Sequence, residues 1–500
     1  MEKKKGSNVV FILSLIINVA VAIWAVVFKD SFAVASNAML DFFKNDFGWL
    51  YMAVMLIFVV FCIFIAASKY GKIVLGPDGC KPEYNTVSWF AMLFGCGMGV
   101  GLVFWGVAEP ISHYVSPPST IEAGSAVAAD FAMKASYMHW GITPWANYAI
   151  MGLALAYFQF RRGKKGMISS ALEPVIGKKG VDGLLGKIVD ILAVFATVAG
   201  VVTSLGLGVM QINSGMNYLF GIPSTLVSQI IIIVIISVIY IGSAVSGIDK
   251  GIKIISDLNL YIAIGLMTLC FLIGPKVDVL NNFVSGMGSY IQGFIQDSTM
   301  FSTYGDNNWV LGWRVFYWAW FIAWAPFVGV FIARISKGRT IREFIAGVVI
   351  VPALASIVWF AIFGSMGLHL GHKGILGMQQ LKDIAASPET GLFVVMSKYP
   401  LGMIISIVAI VLLCTFFITS ANSGTFVLSM LSSDGDQNPH KNKMLLWGII
   451  QSVMAVGMLL AGGLKPLQTI SVAAAFPFIF IMIALMVSLV RALKGEDKNG

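Results

Sequence analysis

Trp320 and Trp324 stand four residues apart inside an apolar run from Trp309 to Arg334. In a helix rising about 1.5 Å per residue they lie on one face, roughly 16–22 Å below its start and near the middle of a bilayer core about 30 Å thick. Membrane tryptophans usually mark the two interfaces. Indole faces gathered at mid-depth suit a quaternary ammonium group held by cation–π attraction, with helix packing as the alternative. A second run, Ser125–Phe160, carries His139-Trp140 and Thr143-Pro144-Trp145-Ala146-Asn147-Tyr148. Trp145 and Tyr148 share a helical face, and Pro144 is expected to kink the helix there. Buried indoles on two separate helices favour an aromatic cage over simple packing. His139 reads as a packing or hydrogen-bonding residue.

Three further stretches could hold charge. Gly95-Cys96-Gly97-Met98-Gly99-Val100-Gly101 sets four glycines at alternate positions, each weakening a helix by about 1 kcal/mol relative to alanine. Such a segment can unwind at mid-membrane, its freed amides facing a carboxylate or its freed carbonyls a cation; close packing of glycines is the other reading. Thr419-Ser420, deep in the run Pro400–Leu431, could ligate Na⁺ or bond back to the preceding turn. Glu109-Pro110 is the one carboxylate well inside an apolar run, and is expected to order the outer end of its helix. No Ser/His/Asp set, HExxH helix or phosphate loop occurs at a credible spacing, so an enzyme is not expected.

The elements that must position these residues are membrane helices. The 500 residues are 58% hydrophobic and 11% charged, with mean hydropathy +0.86, against about 25% charge in soluble domains. Twelve spans are predicted at Val9–Phe28, Gly48–Ser68, Thr86–Tyr114, Ser125–Phe160, Leu184–Phe220, Ser224–Ser246, Gly251–Gly274, Asn308–Arg334, Ile341–Met366, Pro400–Leu431, Lys443–Gly463 and Leu467–Val490. No small-residue cleavage motif follows the first, which therefore reads as a span rather than a signal peptide. With the N-terminus inside, 24 Lys and Arg fall on inner segments and 7 on outer ones, which puts both termini in the cytoplasm. That bias accounts for the net charge of +9 without a nucleic-acid partner. The five cysteines show no paired spacing. Pro275–Asn307 carries Phe283, Met287, Tyr290, Ile291, Phe294 and Ile295 at helical spacing, and predicts an amphipathic interfacial helix. Gly367–Tyr399 is expected to hold another short helix.

Gly97-Met98-Gly99-Val100-Gly101-Leu102-Val103-Phe104-Trp105-Gly106-Val107-Ala108-Glu109-Pro110 resembles the third-helix signature of the betaine/choline/carnitine transporters. Phe316-Tyr317-Trp318-Ala319-Trp320 through Pro326-Phe327-Val328-Gly329, followed by Ala333-Arg334-Ile335-Ser336-Lys337-Gly338-Arg339-Thr340-Ile341-Arg342-Glu343-Phe344, is similar to their eighth-helix signature. The likeness covers nearly the whole chain and is nearest to bacterial glycine betaine carriers. It implies an all-α polytopic fold with a LeuT-type 5+5 inverted repeat. Residues 1–85 would hold the head and two peripheral helices, 86–274 and 308–490 the repeats, 275–307 the connector and 491–500 a tail, in a homotrimer of the inner (plasma) membrane.

The resemblance also implies site residues. Trp140, Trp145 and Tyr148 match the family's aromatic box, and Trp320 and Trp324 its eighth-helix aromatics, with Phe321 where the family has a second consecutive tryptophan. Met98, Gly99 and Gly101 would line the substrate path. One sodium site would use Gly95, Met98, Phe416, Thr419 and Ser420; a second would use Thr197 and Phe327, with Val201 at its other threonine position. No Lys or Arg lies between Ile188 and Phe220 to replace the ion, and Gly101 stands where choline-selective relatives tend to carry an acid. The expectation is Na⁺-coupled import of glycine betaine or a related trimethylammonium zwitterion, with no cofactor beyond Na⁺. The alternatives are a Na⁺-independent carnitine/betaine exchanger, a choline carrier, or a membrane receptor, the last needing an output domain larger than these tails. About ten residues after Val490 leave little for tail-based osmotic gating.

Overall fold

The computed structural model describes residues 9–97, 99–246 and 249–496, without the side chains of 94–97 and 249–253. The described chain is helical, with no strand and one isolated bridge between Val74 and Thr340. The helices are α1 (Val9–Val27), α2 (Lys29–Ala67), α3 (Thr86–Gly97), α4 (Val100–Val115), α5 (Ala126–Trp140), α6 (Ile142–Ala156), α7 (Ile168–Ala171), α8 (Glu173–Asp182), α9 (Leu184–Phe220), α10 (Leu226–Ser246), α11 (Asp249–Ile273), α12 (Lys276–Ser298), α13 (Val315–Ile335), α14 (Ile341–His372), α15 (Met378–Ala386), α16 (Gly391–Met396), α17 (Gly402–Leu431), α18 (Lys441–Leu460) and α19 (Leu464–Glu496).

Ten helical stretches among the described residues are long and apolar enough to cross a membrane. Their burial sorts them. Residues shielded by protein make up 89% of the most apolar window of α13 with its leading turn and 83% of that of α9, against 22% for α1 and α11. The first pair is apolar all round because protein covers every side; the second leaves apolar faces outward, where lipid tails would solvate them. The protein is therefore a polytopic helical membrane protein with α4, α6, α9, α13 and α17 packed at its centre.

The other two predicted spans appear as broken helices. Thr86–Tyr114 divides into α3 and α4, and Ser125–Phe160 into α5 and α6, with no half longer than 16 residues. The second break corrects the expected kink at Pro144. It falls at Gly141, whose ψ of −141° leaves the helical region, and Pro144 sits in the first turn of α6. A first-turn proline lacks only an amide that would have had no helical partner, so it bends nothing. The amide of Ile142 freed by the break is not orphaned: it donates to Tyr290 Oη on α12 at 3.1 Å. An added Cβ on Gly141 would lie 2.5 Å from that oxygen, so the break and the tyrosine fit only as a pair.

A helix forms in the stretch predicted to be amphipathic, as α12. Tyr290 is buried on the protein side, while Ile291 and Ile295 lie exposed. The short helix predicted within Gly367–Tyr399 is two, α15 and α16. The second predicted span starts 19 residues early, since α2 runs unbroken from Lys29. Local signals set other ends. Ser125 Oγ caps α5 by accepting from Ala128 N at 3.1 Å. Thr340 and Glu343 form a reciprocal capping box at the start of α14.

Candidate functional site

The start of α4 lies against the rings of α5 and α13. A Cβ added to Gly101 would meet Trp320 Cη2 at 2.8 Å and Trp140 Cη2 at 3.1 Å, so glycine is what lets both indoles approach the backbone. Across the centre, Trp324 Cδ1 lies 2.5 Å from where a Cβ on Gly200 of α9 would stand. The rings meet edge to face. Trp140 is 5.6 Å from Phe321 at 85° and 6.2 Å from Trp320 at 89°; Tyr148 is 5.5 Å from Trp145 at 82° and 6.1 Å from Phe321 at 86°. Asn147 Nδ2 donates to Phe321 O at 2.8 Å and ties α6 to α13 behind these rings.

Two small chambers open between the rings. The first is lined by Trp140, Pro144, Trp145, Tyr148, Phe321 and Ser356, and its free volume of about 20 Å³ is room for roughly one water. The second is lined by Gly99, Val100, Gly101, Leu102, Trp140, Tyr148, Ser204, Trp320, Phe321, Trp324 and Ser420, with about 40 Å³. Trp140, Tyr148 and Phe321 form the wall common to both. A whole solute would need these rings to rotate apart.

Trp140, Trp145, Tyr148, Trp320, Phe321, Trp324, Gly99 and Gly101 thus all lie on chamber walls, but not on one. Trp145 borders only the first chamber; Trp320, Trp324, Gly99 and Gly101 border only the second. Met98 lies outside the described residues, and of Gly95 only its place in α3 is described. The expected ion pair of hydroxyls separates. Ser420 faces Gly99 in the second chamber. Thr419 Oγ1 bonds back to Thr415 O at 3.0 Å and accepts from Asn259 Nδ2 of α11 at 3.4 Å. Phe416 is buried in the same helix. Thr197 Oγ1 bonds back to Ala193 O at 2.8 Å, one turn before Gly200, and Phe327 stands edge-on to Trp324 at 5.3 Å.

Sequence reasoning missed three contributions. Ser356 is a single hydroxyl in a long apolar helix, and Ser204 follows Thr203 in an adjacent pair like Thr419-Ser420, a signal that could have found it. Glu109 was expected to order the outer end of its helix; instead it is fully buried and joins three helices. Its Oε2 accepts from Trp140 Nε1 at 2.8 Å and from the Tyr317 hydroxyl; its Oε1 faces His139 Nδ1 at 2.7 Å and His113 Nε2 at 3.3 Å. His139 is accordingly a hydrogen-bonding residue. Glu109, His113 and His139 stand close enough together to suggest a metal site. Each ring nitrogen facing the acid is already used in a hydrogen bond, however, and the buried Arg314 guanidinium shares Trp309 as a ring neighbour with His113. A divalent cation would add charge where one already lacks water.

Among the described residues, no nucleophile with a base lines either chamber. What the arrangement offers is a ring wall for a soft cation, and the N-terminal end of α4, whose dipole favours an anion although the Leu102 amide already donates to Gly99 O at 3.1 Å.

The chain matches the model of the BCCT, betaine/carnitine/choline family transporters, over residues 9–498. It belongs to this family. It is 46% identical over 497 residues to the glycine betaine transporter OpuD of Bacillus subtilis, covering 99% of this chain and 96% of that one. It is 40% identical over 500 residues to the ectoine/hydroxyectoine transporter of Virgibacillus pantothenticus, covering 100% and 99%. Identity to the osmo-dependent choline transporter BetT2 of Acinetobacter baylyi is 37%, over 99% and 72%. The protein is thus a membrane transporter and not an enzyme.

Proposed function

We propose that the transporter imports glycine betaine, or a trimethylammonium zwitterion of similar size, coupled to Na⁺ by alternating access. The observation that carries this reading is the shared wall of Trp140, Tyr148 and Phe321, with the first turn of α4 on one side of it. The ammonium sits against the wall, and the carboxylate meets the amides near Gly99 and Gly101. Trp320 and Trp324 have buried indole N–H groups without a partner, which a bound acceptor would satisfy. Trp145 lies beyond the wall, so the ammonium meets it only when the chambers merge. A Cβ at Gly101 would already stand 2.8 Å from Trp320 Cη2, which leaves no room there for the acid that would balance a choline lacking its own carboxylate.

In this reading α3 with α4, and α5 with α6, complete twelve spans. Residues 86–274 and 308–490 form LeuT-type inverted repeats joined by the connector 275–307, in a trimer with both termini cytoplasmic. Na⁺ binds at Ser420, with Phe416 and the backbone near Gly95 and Met98, while Thr419, whose hydroxyl is turned away, would have to rotate to join it; a second ion binds near Thr197 and Phe327. Uptake of labelled betaine into proteoliposomes tests the coupling: an inward Na⁺ gradient is expected to drive accumulation. Uptake indifferent to Na⁺, or uptake only into vesicles preloaded with counter-substrate, overturns it in favour of exchange.

A further inference from the structure

Trp140 is the one indole that borders both chambers, and its N–H does not face either as an open donor: it is spent on Glu109 Oε2 at 2.8 Å. Indole nitrogen can only donate, so Oε2 must accept. A carboxylate there can take further donors from Tyr317, His139 and His113, each imidazole presenting an N–H to it; the far ring nitrogens, His139 Nε2 and His113 Nδ1, are buried without a partner, which favours the neutral rings. The rings are held in turn: His139 stacks on Tyr317 at 4.6 Å, and Tyr317 stacks on Phe321 at 5.8 Å. Thus two members of the shared wall, Trp140 and Phe321, are backed by one acid and its partners.

The charges around this acid are arranged with a direction. Arg314 is buried, stacks over Trp309 at 5.2 Å and donates to the backbone oxygen of Asp297. The Asp297 carboxylate pairs with Lys134 at 3.1 Å. Two positive and two negative charges balance when Glu109 is a carboxylate. Of these four groups only Glu109 touches a wall ring, so the negative end of the set is turned toward the chambers. An N–H donating to a carboxylate pushes electron density into the indole, and a negative charge at the ring's edge adds its own attraction for a cation on the ring's face. Both effects act only on a cation.

We propose that Glu109 is the positioning residue and counter-charge of the ammonium site, holding Trp140 in place and making its face more attractive to a quaternary ammonium. The proposal rests on the betaine reading above, and the test separates the two. Binding of glycine betaine to the full-length protein is compared with that of 3,3-dimethylbutanoate, which has the same shape and carboxylate but a neutral tert-butyl group. Wild-type protein is expected to prefer betaine; indifference between the two overturns the betaine reading itself. Glu109→Gln is expected to weaken betaine by about tenfold while changing the neutral analogue by less than about twofold. A wild-type preference kept unchanged in Glu109→Gln, or an equal loss for both ligands, overturns the proposal, because a packing role cannot tell a cation from its isostere. Glu109→Asp keeps the charge and shortens the reach, and is expected to weaken both ligands while keeping the preference. Should Glu109→Gln fail to fold, that preference decides: retained it supports the counter-charge, lost it overturns it. In a Trp140→Phe background, Glu109→Gln is expected to cost less than about threefold, since the bonded indole is gone; a full tenfold loss there would overturn the route through Trp140.

Discussion

The two chambers share three rings and differ in everything else. The first is closed by Pro144, Trp145 and Ser356, and its lining is almost wholly apolar. The second adds four backbone positions at the start of α4, two hydroxyls and two tryptophans with unpartnered N–H groups. The contrast sorts a zwitterion by its ends. A trimethylammonium is poorly hydrated and loses little in the first chamber, whereas a carboxylate there would be stripped of water with nothing to replace it. The second chamber brings together the start of α4 and two hydroxyls, Ser204 and Ser420, and is where the proposed reading puts the carboxylate and its accompanying ion. Binding the two ends at once requires the shared wall to move, which links recognition to conformational change.

The sharpest break of this comparison is at the wall. Trp140→Leu removes a ring from both chambers and releases Glu109 without its indole donor. Betaine binding, followed by the quench of intrinsic tryptophan fluorescence or by isotope displacement, is expected to weaken by about fiftyfold or more, the loss of a cation–π contact compounded with that of a buried hydrogen bond. A change under about threefold would show that the chambers do not share a ligand.

How far the sequence carries depends on which interactions are local. The aromatic residues were legible because tryptophan at mid-depth is unusual whatever surrounds it. The broken character of Thr86–Tyr114 was legible in its alternating glycines. The break at Gly141 was not, because Pro144 offers a louder signal; what decides the matter is Tyr290, 148 residues away, waiting to accept the freed amide. Glu109 shows the same limit. Its place toward the end of its apolar run suggested a helix-end role, but its partners Trp140 and Tyr317 lie 31 and 208 residues on. Ser356 was invisible among many hydroxyls that only bond back to their own helix. The division of Thr419 from Ser420 follows from rotation: adjacent residues on a helix point about 100° apart, so one cannot reach the chamber when the other does.

A pair of substitutions, one in each chamber, sharpens the contrast at intermediate size. Trp145→Leu is expected to weaken betaine by about tenfold through lost ring contact, with the Na⁺ concentration needed for half-maximal uptake unchanged. Ser420→Ala is expected to do the converse: about a fivefold rise in that Na⁺ concentration, from loss of one ligand oxygen, and little change in betaine affinity at saturating Na⁺. Uptake titrated separately in Na⁺ and betaine distinguishes them. Were both variants to move both parameters alike, the chambers would act as a single undivided site.

The smallest expected effect is a gain. Phe321 belongs to the shared wall, lies 18° from parallel with Trp320 and 5.6 Å from it, and is edge-on to both Trp140 and Tyr148. A phenyl face attracts a cation less than an indole does, so Phe321→Trp is expected to tighten betaine binding by about threefold. The added ring must fit a wall whose first chamber has about 20 Å³ to spare, so the gain in attraction competes with overpacking. The neutral analogue 3,3-dimethylbutanoate separates the two. Crowding weakens both ligands equally, whereas a richer face strengthens only the ammonium, so the ratio of affinities rises even where absolute affinity falls. A ratio that does not rise would place the cation on the far side of Trp140 and take Phe321 out of the wall it contacts.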